Sequence, residues 1–361
     1  MDLYQKISIL GPSARYDTCG PRDFANTTNI PGVYHAKVGG NHICRLFKVL
    51  QSNVCKNNCK YCAFRHDRPC LRVTASPDEM AQAFVSAHSR HLVDGLFLSS
   101  GIVNNPQTTM TRMLDTTHIL RHKFNYKGYI HLKIMPDTPV NCIQESMKLA
   151  NRISLNIESP TESDLTDLSP DKNLKTGFFN TMFKIKKEIW KLKQIGKNPP
   201  SITTQFVVGA TEEKDRDIIR ATHLLYKQFN LKRVFYSAFR PVKNTPLQDK
   251  APASLARQHR LYQADFLMRF YRFLPTDLPL DQNGFLSENT DPKTLWAEKH
   301  PEFFPININK ATYWNLLKIP GLGPVSAKKI IQKRKFGKIN SLSIFQNQHF
   351  QINKMKKYLI I

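Results

Sequence analysis

The chain has 361 residues, of which 41% are hydrophobic, 22% charged and 10% aromatic, a composition that excludes wholesale disorder and a collagen-like repeat. No stretch approaches the ~18 uninterrupted apolar residues of a spanning helix, and residues 1–10 lack the basic head and long apolar run of a secretory leader. A non-membrane, cytoplasmic protein of about two domains is therefore expected, and its formal charge of +25 favours a polyanionic partner, nucleic acid before an anionic membrane surface.

Six short β-type runs follow one another along the chain, at 46–51, 95–99, 129–134, 152–157, 202–208 and 233–238. Helical patterns separate them. Ser76-Pro77-Asp78-Glu79 offers an N-cap, a proline at the first helical position and a capping-box glutamate. The segment 178–193 is basic and amphipathic, and Thr211-Glu212-Glu213 predicts the start of a helix running towards Phe229. Strands alternating with helices predict a parallel sheet, either an open doubly wound sheet or a partial (β/α) barrel. In both, function gathers in the loops after the C-terminal ends of the strands. No GxGxxG follows the first run, so a dinucleotide fold loses ground.

What does follow it is a cysteine loop. Six of the seven cysteines (Cys19, Cys44, Cys55, Cys59, Cys62 and Cys70) lie in the first fifth of the chain, with Cys142 apart. In a cytosolic chain such clustering points to metal or redox chemistry rather than to disulfides. Cys55-Lys-Asn-Asn-Cys59-Lys-Tyr61-Cys62 places three thiols where one inorganic centre can collect them. A zinc site would want a fourth ligand, for which His66 and Cys70 are candidates. An iron–sulfur cube on three thiolates leaves one iron open to a substrate or cosubstrate, and a position after the first strand of a β/α array favours it. Cys19 and Cys44 precede the loop and are candidates to line the site. Cys70 and Cys142 otherwise read as small buried residues.

The spacing CxxxCxΦC, with Tyr61 before Cys62, resembles the radical S-adenosylmethionine (SAM) enzymes over residues 40–245. The resemblance implies a partial TIM-like (β/α)6 barrel and a [4Fe-4S] cluster on Cys55, Cys59 and Cys62. SAM would chelate the open iron and be cleaved to methionine and a 5′-deoxyadenosyl radical, with an electron donor to reduce the cluster. It further implies SAM contacts at Tyr61 and at Ser99, Ser100 and Gly101, where the family's Gly-Gly-Glu motif has a glutamate that this chain lacks. The remaining implied contacts are Lys133, Asn156, Glu158, Tyr236 (through backbone groups), and Gly209 with Glu212 or Glu213 after it.

After residue 238 the alternation degrades. Residues 241–252 read as loop, 255–273 as a helix with arginines interleaved among aromatics, and 275–305 as turn-rich. From Pro305 to Ile361 there are eleven Lys/Arg and no Asp or Glu. Here Leu317-Lys-Ile319-Pro320-Gly321-Leu322-Gly323-Pro324 joins two helical runs, followed by Lys328 and Lys329. Glycines admit a tight turn, and successive N–H groups at a helix start make an anion-binding nest. The segment resembles the helix-hairpin-helix module, which grips DNA phosphates without reading bases. That implies DNA-binding roles for Gly321, Gly323, Lys328 and Lys329.

The organisation read from the sequence is thus an N-terminal extension (1–40), a (β/α)6 core (41–245), a linker with a helical segment (246–304) and a small all-α DNA-binding domain (305–361). The combination resembles one group of radical SAM proteins associated with DNA modification or repair, whose members accompany a uracil-DNA-glycosylase-like protein. The residues that carry this are Ala14-Arg-Tyr16-Asp17, Leu96-Phe-Leu-Ser-Ser-Gly101, Tyr129-Ile-His131-Leu-Lys133, Leu155-Asn-Ile-Glu158-Ser-Pro160 and Tyr236-Ser-Ala-Phe239. The implied activity is radical SAM chemistry on DNA, with RNA modification or a non-catalytic redox-sensing DNA binder as alternatives.

Overall fold

The computed structural model describes residues 1–17, 30–37, 43–345 and 351–361. Cys19 lies outside them. By their internal contacts the described residues form two units, one of residues 1–213 and 224–254, the other of residues 214–223 and 255–361.

The first unit is built on a seven-stranded sheet. Its strands are β1 (Val33–Lys37), β2 (Ile43–Leu50), β3 (Gly95–Ser99), β4 (Tyr129–Lys133), β5 (Arg152–Ser154), β6 (Ser201–Val208) and β7 (Arg233–Ala238), lying side by side in chain order. β1 pairs antiparallel with β2, and every later neighbour pair is parallel. Six parallel strands in sequential order are the order of a partial (β/α)6 barrel, one of the two arrangements the alternating pattern predicts and the one the resemblance implies. A helix, α1 (Leu3–Ser13), precedes the sheet. The helices α2 (Pro77–Ser89), α3 (Pro106–His118), α4 (Val140–Leu149), α5 (Glu162–Leu168), α6 (Asn180–Gln194) and α7 (Asp215–Phe229) connect the strands. α2 touches α3, α3 touches α4 and α4 touches α6, so these helices cover one face of the sheet.

That face is apolar by strand alternation. Leu96, Leu98, Ile130, Leu132, Ile153, Phe206 and Val234 are all fully buried on it, each contributing about 1.5–3 kcal/mol relative to exposure. The opposite face is different in kind. Direct register puts Lys48, Phe97, His131 and Arg152 in one row, and Leu50 with Ser99 and Lys133 with Ser154 and Thr203 in the next. A polar interior facing the strand ends is what a ligand-handling sheet needs.

Two local details correct the sequence-based boundaries. The fourth parallel strand ends at Ser154 rather than at residue 157, because the Thr204 side chain enters the ladder. Thr204 Oγ1 donates to the Leu155 carbonyl at 2.7 Å and accepts from Ile157 N–H at 3.1 Å. The chain rejoins β6 only at Glu158, whose N–H reaches the Gln205 carbonyl at 3.0 Å. The helix expected from Thr211 starts at Asp215, because Glu213 folds back instead of continuing it. The capping box at Ser76 and Glu79 forms as expected.

The second unit carries α8 (Leu255–Phe270), α9 (Pro292–Lys299), α10 (Tyr313–Lys318), α11 (Pro324–Lys333) and α12 (Ile352–Met355), with a two-residue parallel pair, β8 (Ile306–Asn307) and β9 (Leu359–Ile360). α10 and α11 pack as a hairpin over buried Leu316, Leu317, Ile319, Leu322, Ala327 and Ile330.

Candidate functional site

The cysteine loop leaves the C-terminal end of β2 and is fastened from three sides. Asn53 fixes its start, donating to the Leu71 carbonyl at 2.9 Å and accepting from Val73 N–H at 2.7 Å. The guanidinium of Arg72 bonds five backbone carbonyls of the loop, those of Asn53, Phe64, Arg65, His66 and Arg68, at 2.6–3.2 Å. The segment after α5 supplies the rest. The Leu168 carbonyl accepts from Lys60 N–H at 2.9 Å, and the Asp171 carboxylate accepts from Asn58 N–H at 2.5 Å.

Each of the three thiols receives a polar contact. Ile102 N–H points at Cys55 Sγ and Phe64 N–H at Cys62 Sγ, both at 3.4 Å, and the Ser169 hydroxyl meets Cys59 Sγ at 2.8 Å. Burial, and repulsion from the neighbouring thiolates, pushes the Cys62 thiol up to about 12. Cys59 is also raised, chiefly by burial, with Lys172 opposing. Among the described residues no three His, Cys, Asp or Glu side chains stand at the spacing of a bound metal ion, so the sulfurs are neighbours rather than a closed ligand set. The donor set nonetheless fits an iron–sulfur cluster: three thiols on one loop, each with a hydrogen-bond donor of the sort that tunes a cluster's potential.

Gly101 explains how the second strand loop approaches so closely. A Cβ there would lie 2.3 Å from the Val54 carbonyl oxygen and 3.1 Å from Cys55 Cβ. Gly101 N–H donates to the Ser52 carbonyl at 2.7 Å, and the Ser100 hydroxyl contacts the Gly101 carbonyl at 2.7 Å. Ser99 is buried at the end of β3. The structure thus places Gly101 beside Cys55, with Ser100 turned to the Ser52 and Gly101 carbonyls.

Glu158 stands beside Tyr61 and Cys59. It is buried, has a φ of +69°, and pairs with Lys172 at 3.0 Å. Lys172 is raised: burial opposes its charge, but Glu158 and then Cys59 outweigh that. The Tyr61 hydroxyl is raised well above its usual range, first by burial and then by Glu158. Its ring packs against Leu168, Val207, Ala210 and Phe239. Gly209, at φ +83°, donates its N–H to Glu213 Oε1 at 2.5 Å, and Glu213 also accepts from the Thr211 hydroxyl at 2.6 Å. Glu212 instead lies out in solvent, paired with Lys250 at 2.8 Å. Asn156 is half-buried in the segment between β5 and Glu158.

Two of the expected cofactor residues are engaged elsewhere. The Tyr236 ring is buried on the helix-covered face, stacked with Phe206 at 6.2 Å and 6°, so only its backbone faces the strand-end region. Lys133, at the end of β4, forms an ion pair with Asp17. Burial pushes the Asp17 carboxyl up, but Lys133 and then Lys48 outweigh it and leave the group below its usual range. His131, one residue pair lower, is held well below the usual histidine range by burial and then by Arg152, Lys133 and Lys48. Its Nε2 lies 2.9 Å from Ser154 Oγ. Sequence reasoning missed Asp17, Lys48 and Arg72 as site-building residues. Only the alternation of β2 carried a signal, in a lysine on the interior face.

In the second unit the hairpin turn needs one special glycine. Gly321 has φ +84°, and a Cβ there would meet Gln351 Cβ at 3.1 Å. Gly323 is extended at φ −106°, ψ 177°, and serves as the N-cap residue of α11. Lys328 and Lys329 are exposed on α11. Arg334 is structural, donating to the Ile308 and Ala311 carbonyls at 3.1 and 2.7 Å. The turn also rests on a residue not anticipated, Lys293. Its buried ammonium donates to the Leu322 carbonyl at 2.6 Å, and burial lowers it to about 7.

Comparison with known proteins bears on this unit first. Residues 303–348 match the helix-hairpin-helix motif family. No curated protein matches the chain. Among solved structures, it is similar to HydG, a maturase of the [FeFe]-hydrogenase (15% identity, 60% of this chain and 48% of that one, TM-score 0.48). It is similar to methylornithine synthase, PylB (15%, 61% and 60%, TM-score 0.48). It is also similar to a radical SAM methyltransferase from Sphaerobacter thermophilus (12%, 64% and 65%, TM-score 0.47). The chain thus spans about half to three-fifths of the first two of these structures.

Proposed function

We propose that this chain is a radical SAM iron–sulfur enzyme acting on nucleic acid, DNA in the first place. The observation that carries the reading is the cysteine loop at the C-terminal end of the first parallel strand of a (β/α)6 array, in a chain that also has a helix-hairpin-helix motif. Cys55, Cys59 and Cys62 would hold a [4Fe-4S] cluster, which when bound supplies the electron that cleaves SAM to methionine and a 5′-deoxyadenosyl radical.

The protein's part is to bind, orient and exclude water. Ile102 N–H, Phe64 N–H and the Ser169 hydroxyl orient the three sulfurs. Lys172 brings a positive charge to Cys59 and at the same time fixes Glu158. Tyr61, Ser100, Gly101, Asn156, Glu158 and Gly209 line the strand ends as the groups that hold SAM, with Ser99 and Tyr236 contributing backbone alone. Tyr61 closes one side with an apolar ring surface. The exposed lysines Lys328 and Lys329 and the N-terminus of α11 would grip phosphates, positioning a polymer without reading its sequence. A uracil-DNA-glycosylase-like protein is the partner the resemblance suggests, and a separate electron donor is required.

The test is 5′-deoxyadenosine formation by anaerobically reconstituted, reduced protein with no polymer, duplex DNA, single-stranded DNA or tRNA. Stimulation by DNA supports the reading, and stimulation by tRNA alone moves the substrate to RNA. No product from protein with an intact cluster favours a redox-sensing role. Cys59→Ser is expected to lose cluster and SAM cleavage together, and full activity in that variant would reject the site.

A further inference from the structure

The interior face of the sheet carries a charge imbalance that the proposed function leaves unused. Lys48 and Lys133 project from β2 and β4 on that face, within the two rows nearest the C-terminal strand ends. Lys48 is fully buried, and its Nζ has no hydrogen-bond acceptor among the described residues. It lies 4.5 Å from the Tyr34 ring and 6.0 Å from that of Phe97. Ring faces ease an ammonium but do not neutralise it. Thr203 Oγ1, in the same row as Lys133, is likewise buried without a partner.

Among the described residues, one carboxylate is shown on these lysines. Asp17, from the segment that follows α1, is half-buried and reaches Lys133, with the Ser99 hydroxyl and Lys48 also acting on its carboxylate. His131 in the same row as Arg152 is held well below the usual histidine range by burial, and Arg152 adds a further positive charge. Among the described residues, two lysines therefore face a single carboxylate. A buried ammonium without a hydrogen-bonded counter-charge is costly, so such a site is built for more negative charge than Asp17 supplies. Exchanging one carboxylate for another would leave the imbalance unchanged. A phosphate monoester, which is close to dianionic at neutral pH, matches both lysines and offers an acceptor for Ser99.

We propose that Lys48, Lys133 and Ser99 form a binding site for the phosphate monoester of the substrate, a place kept by the Asp17 carboxylate until the phosphate displaces it. The phosphate belongs either to a free nucleotide or to the 5′ end of a polynucleotide. The inference rests on the nucleic-acid reading above and narrows it to a substrate with a terminal phosphate.

The test is calorimetric titration of the anaerobically purified, cluster-containing protein. The probes are inorganic phosphate, a deoxynucleoside 5′-monophosphate, a 5′-phosphorylated oligonucleotide, and the same oligonucleotide with phosphodiesters only. The expected result is binding of the monoesters about tenfold or more tighter than of the diester-only strand. The first two probes against the third distinguish a free nucleotide from a strand end. Asp17→Asn removes the internal competitor and is expected to tighten monoester binding by about tenfold, whereas Lys48→Met weakens it by at least that factor. Equal binding of the diester-only strand overturns the proposal. So does an Asp17→Asn affinity that is unchanged or weaker, and this arm decides even where Lys48→Met fails to fold. SAM is added as a competitor, and displacement of phosphate by SAM would give the site to the cosubstrate. Because the titration needs no SAM cleavage, absent phosphate binding with intact 5′-deoxyadenosine formation rejects this site alone. Intact phosphate binding without cleavage rejects the radical reading alone.

Discussion

At the scale of single residues, Gly101 and Lys293 make the sharpest statements. Gly101 has no room for a side chain, since its Cβ would overlap the Val54 carbonyl oxygen at 2.3 Å. Gly101→Ala must push the cysteine loop away from the end of β3, an overpacking cost of about 1–3 kcal/mol. The expected outcome is a folded protein that takes up less iron and sulfide, read as iron per chain and visible absorbance after reconstitution. Lys293 predicts a pH dependence. Its ammonium titrates at about 7 in the fold, against about 10.4 in an unfolded chain. Between those values the unfolded chain binds more protons, so stability rises with pH. The penalty is complete below about pH 7 and disappears as pH climbs towards the unfolded value. Thermal melts of the wild type are therefore expected to rise from pH 7 to 9 relative to Lys293→Met, by at most about 1.4 kcal/mol per pH unit. Parallel pH profiles for the two proteins would remove Lys293 from this role. The cysteine loop was legible in the sequence because its residue type and spacing stand out after the first parallel strand, where the structure puts it. Lys293 and Arg72 were not, because their partners are backbone carbonyls, which leave no mark in sequence.

At the scale of elements, the strand-helix alternation was legible because period-2 apolar runs are strong where a sheet face is wholly buried, as at Leu96 and Leu98 or Ile130 and Leu132. β1 escaped because Val-Tyr-His-Ala-Lys is an antiparallel edge strand at the margin of the array. The end of β5 was overrun because Leu155 and Ile157 keep the apolar alternation after a hydroxyl has broken the ladder. That interruption has a structural consequence, since it delivers Glu158 at positive φ to Lys172 and Tyr61. The cysteine loop is similarly an element held by others. Arg72 ties its five carbonyls, and the segment after α5 holds Asn58 through Asp171. Removing the Asp171 carboxylate releases an exposed latch on Asn58 N–H, a net loss of about 0.5–1.5 kcal/mol because water can take its place. Asp171→Ala is expected to assemble the cluster yet lose it several-fold faster in air, followed as decay of visible absorbance. Arg72→Met, which releases five carbonyls at once, should fail to retain it at all. Equal decay in the wild type and both variants would show that the loop is fixed by the cluster rather than by these latches.

At the scale of the whole molecule, the two units divide the proposed work, and the division is separable by experiment. The charge of the chain is not spread evenly: the last 57 residues, from Pro305 onward, contain eleven basic residues and no acidic ones. An excess so placed makes binding electrostatic and therefore salt-dependent through counterion release. If α11 and the turn before it carry the contact, each phosphate lost should reduce the slope of log K against log salt by about 1. Lys328→Ala/Lys329→Ala is thus expected to lower the duplex-DNA slope by about 2 while leaving the preference among sequences unchanged. Gly321→Val acts differently. It forces a side chain into a φ of +84° and against Gln351, so it deforms the turn and should weaken binding without moving the salt slope of what remains in proportion. Both variants should keep iron content, since the cysteine loop belongs to the other unit. They should also lose the DNA stimulation of 5′-deoxyadenosine formation while retaining its polymer-free rate. Fluorescence anisotropy across a salt series, beside the cleavage assay, measures all of this. An unchanged slope in the lysine pair would move the polymer surface to the basic helix α6, where exposed Phe183 and Trp190 alternate with Lys186, Lys187 and Lys191.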